Sequence, residues 1–198
     1  MAFMIIQMGA DEAPEKVEAE LKELTDQEFR LYSVPVQDWN KELSPWPAKA
    51  VFRNEDFGDG APDTLKKVLQ YAEEKKQEDD RVILCGYSLA GLFALWAGYQ
   101  CDVFDGIAGV SPSVWFDGWN EYVQAHEMKA GHVYLSLGDK EPKARNPRMA
   151  KVGENITRMH EHLQGSVDCA LEWNAGGHFN EPEKRIARGL AWLMGQMK

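Results

Sequence analysis

One stretch in the middle of the chain, residues 81–96, constrains the fold more than any other part of the sequence. Its sequence RVILCGYSLAGLFALW is typical of a short apolar strand, a tight turn around Ser88 and a wholly apolar helix. A serine at the apex of such a strained turn brings the residues two positions away on either side close together, so both must be small. Gly86 and Ala90 meet this requirement, and Gly91 lets the helix pack close to the strand. The stretch therefore predicts a nucleophile elbow carrying Ser88; the alternative is an ordinary strand, turn and helix with an exposed serine.

Apolar runs of strand length alternate with amphipathic segments of helix length along the rest of the chain. We predict strands at 3–8, 29–36, 81–85, 103–110, 132–137 and 167–173, with helices between them and after the last. This alternation predicts an α/β fold, with a mostly parallel sheet of about six strands, right-handed crossovers and helices on both faces. The length of 198 residues fits one domain over 1–198. The long irregular stretch 38–60 is either functional or contains an unrecognised element.

Charge and composition exclude several classes of function. The net charge of −10 argues against a nucleic acid or an anionic membrane as partner. No stretch is long and apolar enough for a membrane span, and we expect no signal peptide. The three cysteines show no metal or disulfide spacing, which indicates reduced thiols and a cytoplasmic protein. We expect neither a metal nor an organic cofactor.

A nucleophilic serine needs a base and a carboxylate that orients the base, and in α/β-hydrolases the order along the chain is serine, acid, histidine. His178 follows the last predicted strand in a Gly-Gly-His loop and is the predicted base. The acid should follow the strand 132–137, where Glu141 and Asp139 are both candidates. We prefer Glu141, because its longer side chain reaches further from that loop. The alternative is a Ser-His dyad in which both carboxylates are solvated.

Two further groups of residues are predicted to contact the substrate. The oxyanion needs two N–H donors: one is that of Leu89, after the nucleophile, and the other should follow the first strand, from Gly9 or Ala10. Aromatic residues near strand ends and in the irregular stretch are candidates for the substrate pocket, although each could equally belong to the core: Tyr87, Trp115, Phe116, Trp39 and Trp46.

Three motifs together resemble one branch of a known superfamily. The segments LCGYSLAGLFAL at 84–95, SPSVWF at 111–116 and GGHF at 176–179 are similar to the esterase D-like α/β-hydrolases, which include siderophore esterases, feruloyl esterases and S-formylglutathione hydrolases. The resemblance implies carboxylic ester hydrolysis with Ser88 as nucleophile and His178 as base, and it favours Trp115 beside the site. Two departures stand out. The chain begins at what would be the third strand of the full fold, and Glu141 occupies the acid position, where Asp is common.

The sequence as a whole predicts a serine hydrolase that cleaves carboxylic esters through an acyl-enzyme. Only residues 111–131 separate the two strands between which many relatives insert a lid. We therefore expect an open, shallow site for short acyl groups or accessible esters, with a small-molecule or glycoside-type ester as substrate. The alternatives are a thioesterase, acyltransferase or peptidase that uses the same site, or a binding module without activity.

Overall fold

The computed structural model describes residues 2–9, 14–51 and 55–197. Its strands and helices alternate along the chain, in this order: β1 (Phe3–Met8), α1 (Pro14–Lys22), β2 (Phe29–Val34), α2 (Trp39–Glu42), α3 (Ala61–Lys75), β3 (Arg81–Tyr87), α4 (Leu89–Gln100), β4 (Gly106–Val110), α5 (Trp119–Ala125), β5 (His132–Gly138), a 3₁₀ turn (Glu141–Lys143), α6 (Pro147–Ala150), α7 (Val152–Leu163), β6 (Asp168–Asn174) and α8 (Pro182–Gln196).

The strands of the described residues form one sheet in the order β2-β1-β3-β4-β5-β6, and all neighbouring strands run parallel. The predicted α/β fold with a six-stranded parallel sheet is confirmed. The chain steps from β1 outward to β2, then returns past β1 to β3 and continues in the other direction. In such sheets a crevice opens beyond the carboxyl ends of the strands where the direction of winding changes, which here lies between β1 and β3.

Both faces of the sheet are covered, because successive side chains of a strand point to opposite faces. On one side, Met4, Ile6 and Met8 pack in a core with helices α3, α4, α5 and α7. On the other side, Phe3 and Ile5 pack in a second core with α1 and α8. Residues at the carboxyl ends of the strands therefore stand between two separate helical layers.

Helix α4 is apolar on all sides because it is enclosed by the sheet and by the helices beside it. It approaches the sheet closely: a Cβ atom on Gly109 of β4 would stand 2.8 Å from the side chain of Leu95. Among the residues that the structure describes, no helix, α4 included, is both long and apolar enough to cross a membrane.

Some element boundaries differ from those expected. The predicted strand 29–36 ends at Val34, and the predicted strand 103–110 begins only at Gly106. The irregular stretch 38–60 contains the short helix α2 and an antiparallel bridge between Ala48 and Phe57, while its residues 52–54 lie outside the described ranges. The segment 111–131 holds the single helix α5, as predicted.

Candidate active site

Ser88 stands at the turn between β3 and α4 in a strained conformation, with φ 59° and ψ −123°. Its N–H donates to the carbonyl of Val110 at 3.1 Å, which ties the turn to the neighbouring strand. A Cβ atom on Gly86 would lie 2.2 Å from the carbonyl oxygen of Ala90, so only glycine fits there. The local sequence thus forces Ser88 into a conformation that L-residues rarely adopt, and it does so at the entrance of α4.

The imidazole of His178 lies against the serine, with Nε2 3.0 Å from Ser88 Oγ. The loop that carries it leaves β6 and is anchored at several points. The N–H of Gly177 donates to Asn180 Oδ1 at 2.7 Å, and the Tyr87 hydroxyl donates to the carbonyl of His178. Burial raises the pKa of Tyr87, so its phenol keeps the proton that it donates. The ring position is therefore set by the backbone around it.

Glu141 holds the other nitrogen of that ring: its Oε2 lies 2.8 Å from His178 Nδ1. Its Oε1 accepts hydrogen bonds from the Ser111 hydroxyl and the Gly138 N–H, both at 2.8 Å. The side chain is 7% exposed. Burial acts to raise the pKa of Glu141. The hydrogen bond to His178 and the charge of that ring act in the opposite direction, as do the hydrogen bonds from Gly138 and Ser111. Together they outweigh burial and hold the pKa of Glu141 below its usual value. The carboxylate is therefore kept ionised.

The second candidate acid, Asp139, has a different place. It is exposed, and its Oδ1 accepts a hydrogen bond from the N–H of Gly176 at 2.8 Å. Asp139 thus anchors the histidine loop, while Glu141 contacts the histidine itself. The structure brings Ser88, His178 and Glu141 into one hydrogen-bonded chain and leaves Asp139 outside it.

Arg185 is a part of this site that sequence reasoning missed. Its side chain is 1% exposed. Its Nη1 lies 3.3 Å from Ser111 Oγ and 3.5 Å from Glu141 Oε1, and its Nη2 donates to the carbonyls of Ala175 and Gly177, both at 3.1 Å. One guanidinium therefore holds both the carboxylate and the loop that carries His178. An arginine is normally placed on the surface, and the only signal was its helical spacing to the buried residues Gly189 and Leu193.

The predicted oxyanion donors Leu89 and Gly9 differ in the hydrogen bonding of their N–H groups. Leu89 is the first residue of α4, so its N–H has no acceptor within the helix. The N–H of Gly9, in contrast, donates to the carbonyl of Val34 at 3.1 Å and is already engaged, so the prediction for Gly9 is not supported. Gly9 is needed for space instead: a Cβ atom there would stand 2.9 Å from the ring of Trp39. Ala10, the other candidate, lies outside the described residues.

Solved structures with similar folds identify the architecture. An IroE-like serine hydrolase from Shewanella oneidensis matches all of this chain and 72% of its own, with a TM-score of 0.79 at 12% identity. A Bacillus cereus carboxylesterase matches 98% of this chain and 88% of its own, with a TM-score of 0.63 at 16% identity. Zea mays acyl-protein thioesterase 2 matches 100% and 94%, with a TM-score of 0.62 at 14% identity.

No family model matches the sequence, and no curated protein matches it. The chain has the α/β-hydrolase fold. The fold that the resemblance of the three motifs implied is confirmed. Identities this low show the fold alone, so the chemistry of this chain must be argued from the geometry of its own residues.

A cavity of about 850 Å³ opens in front of Ser88. Three of the predicted pocket residues, Tyr87, Trp115 and Trp39, line it. The volume lies in the upper part of the range for small-molecule sites, so the site has more room than the shallow one expected. As expected, the short segment 111–131 holds only helix α5 and forms no lid. The lining residues from 38–60 and from 139–152, which were not foreseen, build the wall instead: Asn40, Phe57, Lys140, Ala144, Met149 and Val152.

The predictions of Trp46 and Phe116 as pocket residues are wrong. Trp46 donates its Nε1–H to the carbonyl of Asp117 at 2.8 Å, and its ring packs 5.9 Å from that of Phe116 and 5.2 Å from that of Tyr122. Phe116 is 2% exposed. Phe116 belongs to the buried core, and Trp46 is partly buried against it, with its ring stacked on that of Trp119.

Proposed function

We propose that this protein is a serine hydrolase that cleaves carboxylic esters through an acyl-enzyme on Ser88. The observation that carries the proposal is the unbroken chain from Ser88 Oγ to His178 Nε2 at 3.0 Å and from His178 Nδ1 to Glu141 Oε2 at 2.8 Å. The chain ends in a serine that is held in a strained turn and opens to a cavity. The similar folds of a carboxylesterase and a serine hydrolase add support.

Acylation follows from the positions of these atoms. A neutral His178 that donates from Nδ1 to Glu141 presents a lone pair at Nε2, which takes the proton of Ser88 as Oγ attacks the ester carbonyl. The ionised Glu141 stabilises the imidazolium that forms and keeps the ring in the correct tautomer. The developing oxyanion lies at the start of α4, where the N–H of Leu89 and the helix dipole favour negative charge.

Collapse of the tetrahedral intermediate and the second half of the reaction use the same groups. His178 returns its proton to the departing alcohol oxygen, and Ser88 keeps the acyl group. Water then enters, gives a proton to Nε2 and attacks the acyl carbon. As the second tetrahedral intermediate collapses, His178 passes that proton to Ser88 Oγ, which releases the acid and restores the serine and the neutral histidine. The residues of this chain supply every proton transfer in the cycle.

A thioester is a second candidate substrate. The same attack cleaves an acyl-sulfur bond, and one of the proteins with a similar fold is an acyl-protein thioesterase from Zea mays. The cavity of about 850 Å³ leaves room for an acyl group longer than acetyl. Comparing p-nitrophenyl butyrate with butyryl-coenzyme A at equal concentration separates the two activities.

The proposal is tested by labelling with a fluorophosphonate probe and by turnover of p-nitrophenyl acetate. We expect the wild type to be labelled and Ser88→Ala to lose both labelling and at least about 10³-fold in turnover. Ser113→Ala is the matched control, because Ser113 lines the same cavity and is buried, but lies outside the hydrogen-bonded chain. Turnover that survives Ser88→Ala would refute the proposal. Absence of labelling in a folded wild type would favour a binding module.

We further propose that the enzyme works in a reducing compartment such as the cytoplasm on a small-molecule ester, without a nucleic-acid or membrane partner. The three cysteines are free, which supports the reducing compartment. Burial raises the pKa of the Cys85 thiol to about 12, so this thiol is inert at neutral pH.

A further inference from the structure

The side chain of Gln7 is a buried polar group without an evident structural purpose. It belongs to β1 and points to the same face as Phe3 and Ile5. The residue is 4% exposed, its Oε1 has no hydrogen-bond partner among the described residues, and it lines the cavity in front of Ser88. Nearly all buried polar atoms in proteins are paired, so an unpaired carboxamide oxygen beside a cavity requires an explanation.

The cavity extends past the carboxyl ends of the strands to both helical layers. It therefore has two parts that differ in chemistry. The polar arm lies on the side of α1 and α8, and its wall contains Gln7, Val17, Tyr87, Glu183 and Ile186. The apolar arm lies on the side of α3, α4 and α7, and its wall contains Phe57, Trp115, Met149 and Val152; Asn40 and Lys140 are polar wall residues from the same segments. Ser88 follows the last residue of β3 and therefore stands between the two arms.

The position of His178 decides which half of an ester enters which arm. The alcohol oxygen must leave next to His178 Nε2, since that nitrogen gives it a proton. His178 is held on the side of the polar arm: the Tyr87 hydroxyl donates to its carbonyl, and the two rings lie 5.3 Å apart. The alcohol portion therefore occupies the polar arm, and the acyl portion occupies the apolar arm.

Gln7 is close enough to Ser88 to contact a substituent of the alcohol. Gln7 pairs with Cys85 in the sheet, three residues before Ser88. With the usual strand rise and strand spacing, the two Cα atoms are about 11 Å apart. The Gln7 side chain and a substituent a few bonds from the ester oxygen can span that distance.

We propose that Gln7 binds a hydroxyl group on the alcohol portion of the substrate, and that the enzyme prefers apolar acyl esters of polyhydroxy alcohols. The inference rests on the proposed function of Ser88. A carboxamide offers a donor and an acceptor, and a hydroxyl offers the same pair, so each satisfies the other. An alkyl alcohol leaves the carboxamide unpaired, and a site of this kind discriminates against such an analogue.

The test compares two esters of one acid, glyceryl 1-monobutyrate and propyl butyrate, which differ only in two hydroxyl groups. We expect the wild type to have the higher kcat/KM for the glyceryl ester. Gln7→Met keeps the size of the side chain and removes its hydrogen-bonding atoms. We expect this variant to lose about tenfold in kcat/KM for the glyceryl ester, the worth of one hydrogen bond, and to change less than about twofold for propyl butyrate.

Met149→Gln is the mirror-image control, because it places a carboxamide in the apolar arm. We expect it to lower kcat/KM for both esters alike, since the acyl group is common to them. Gln7→Met should also unfold at the same temperature as the wild type or at a higher one, because it replaces an unpaired buried group.

Three results would overturn the inference: a wild type without preference for the glyceryl ester, a Gln7→Met variant that affects both esters equally, or a wild type that cleaves p-nitrophenyl acetate but neither butyrate. If the variant does not fold, the wild-type comparison still tests the inference, because a wild type without the preference overturns it. Ser88-dependent turnover of propyl butyrate without any preference would leave the proposed function standing and remove only the role of Gln7.

Discussion

Two buried carboxylates lie at opposite ends of the strands of the same sheet, and only one of the two belongs to the candidate site. Asp80 immediately precedes β3, at the amino ends of the strands, and its side chain is 2% exposed. Its Oδ2 accepts hydrogen bonds from the Arg30 guanidinium and, at 2.7 Å, from the N–H of Gln77. Glu141 follows β5, at the carboxyl ends of the strands, is 7% exposed and accepts hydrogen bonds at both carboxylate oxygens.

The difference between the two lies in what their partners do next. Arg30 carries a permanent charge, so the Asp80 pair closes on itself and stabilises the turn before β3. His178 has a second ring nitrogen, Nε2, which contacts Ser88 at the cavity. The charge of Glu141 therefore acts on Ser88 through the imidazole. Burial and multiple hydrogen bonds are thus common to this structural carboxylate and to Glu141. A titratable partner that faces a nucleophile separates them.

Neutralising each carboxylate in turn tests the difference between them most directly. Glu141→Gln keeps the size of the side chain but removes the charge that stabilises the imidazolium and selects its tautomer. We expect kcat for p-nitrophenyl acetate to fall by about 10²–10⁴-fold. Asp80→Asn should leave kcat of the folded enzyme unchanged and lower the free energy of unfolding by about 3 kcal/mol, because it leaves Arg30 without its counter-charge. Kinetics and urea unfolding of both variants provide the measurements.

A third variant, Asp139→Asn, serves as the control for the choice of acid. Asp139 is exposed and only anchors the loop at Gly176, so we expect it to change kcat by less than about threefold, in the range of an exposed hydrogen bond. If Asp139→Asn were as damaging as Glu141→Gln, the role assigned to Glu141 would be untenable.

Replacing the two arginines that face these carboxylates extends the comparison at a smaller scale. Arg185→Met removes the donors to Glu141 and to the carbonyls of Ala175 and Gly177, so the acid and the histidine loop lose a common anchor. We expect kcat to fall by about 10–100-fold with little change in KM, the signature of lost positioning in the transition state. Arg30→Met should affect stability alone. A rise in KM at constant kcat for Arg185→Met would contradict the positioning role.

The sequence was sufficient for the parts of the site that depend on local order along the chain. The turn at Ser88 is predicted by the small residues that its geometry requires, and the positions of His178 and Glu141 follow from the succession of strands. The choice of Glu141 over Asp139 rested on side-chain reach, and the structure brings Glu141 to the ring. Each of these inferences concerns one loop and the strand that carries it.

The parts that sequence reasoning missed depend on contacts between distant segments. Trp46 and Phe116 are aromatic residues of the kind that line pockets, but their rings pack against each other, and that of Trp46 also packs against Tyr122. The N–H of Gly9 is occupied by Val34, a residue of the neighbouring strand. Arg185 meets a carboxylate 44 residues away in the chain, which no local pattern encodes. Tertiary pairing decided every one of these positions.

The smallest expected effect is a difference in acid stability that the Glu141 network should produce. The pKa of Glu141 in the folded protein lies below the ordinary value of 4.5, so the unfolded chain binds its proton first as the pH falls. The stability that this group contributes is fully present above pH 4.5 and is lost as the pH falls through the lower, folded value. We therefore expect the melting temperature of the wild type to fall more steeply below pH 4.5 than that of Glu141→Gln, in which this position does not titrate. Parallel slopes of melting temperature against pH for the two proteins would show that the carboxylate is no better stabilised in the fold than in the unfolded chain.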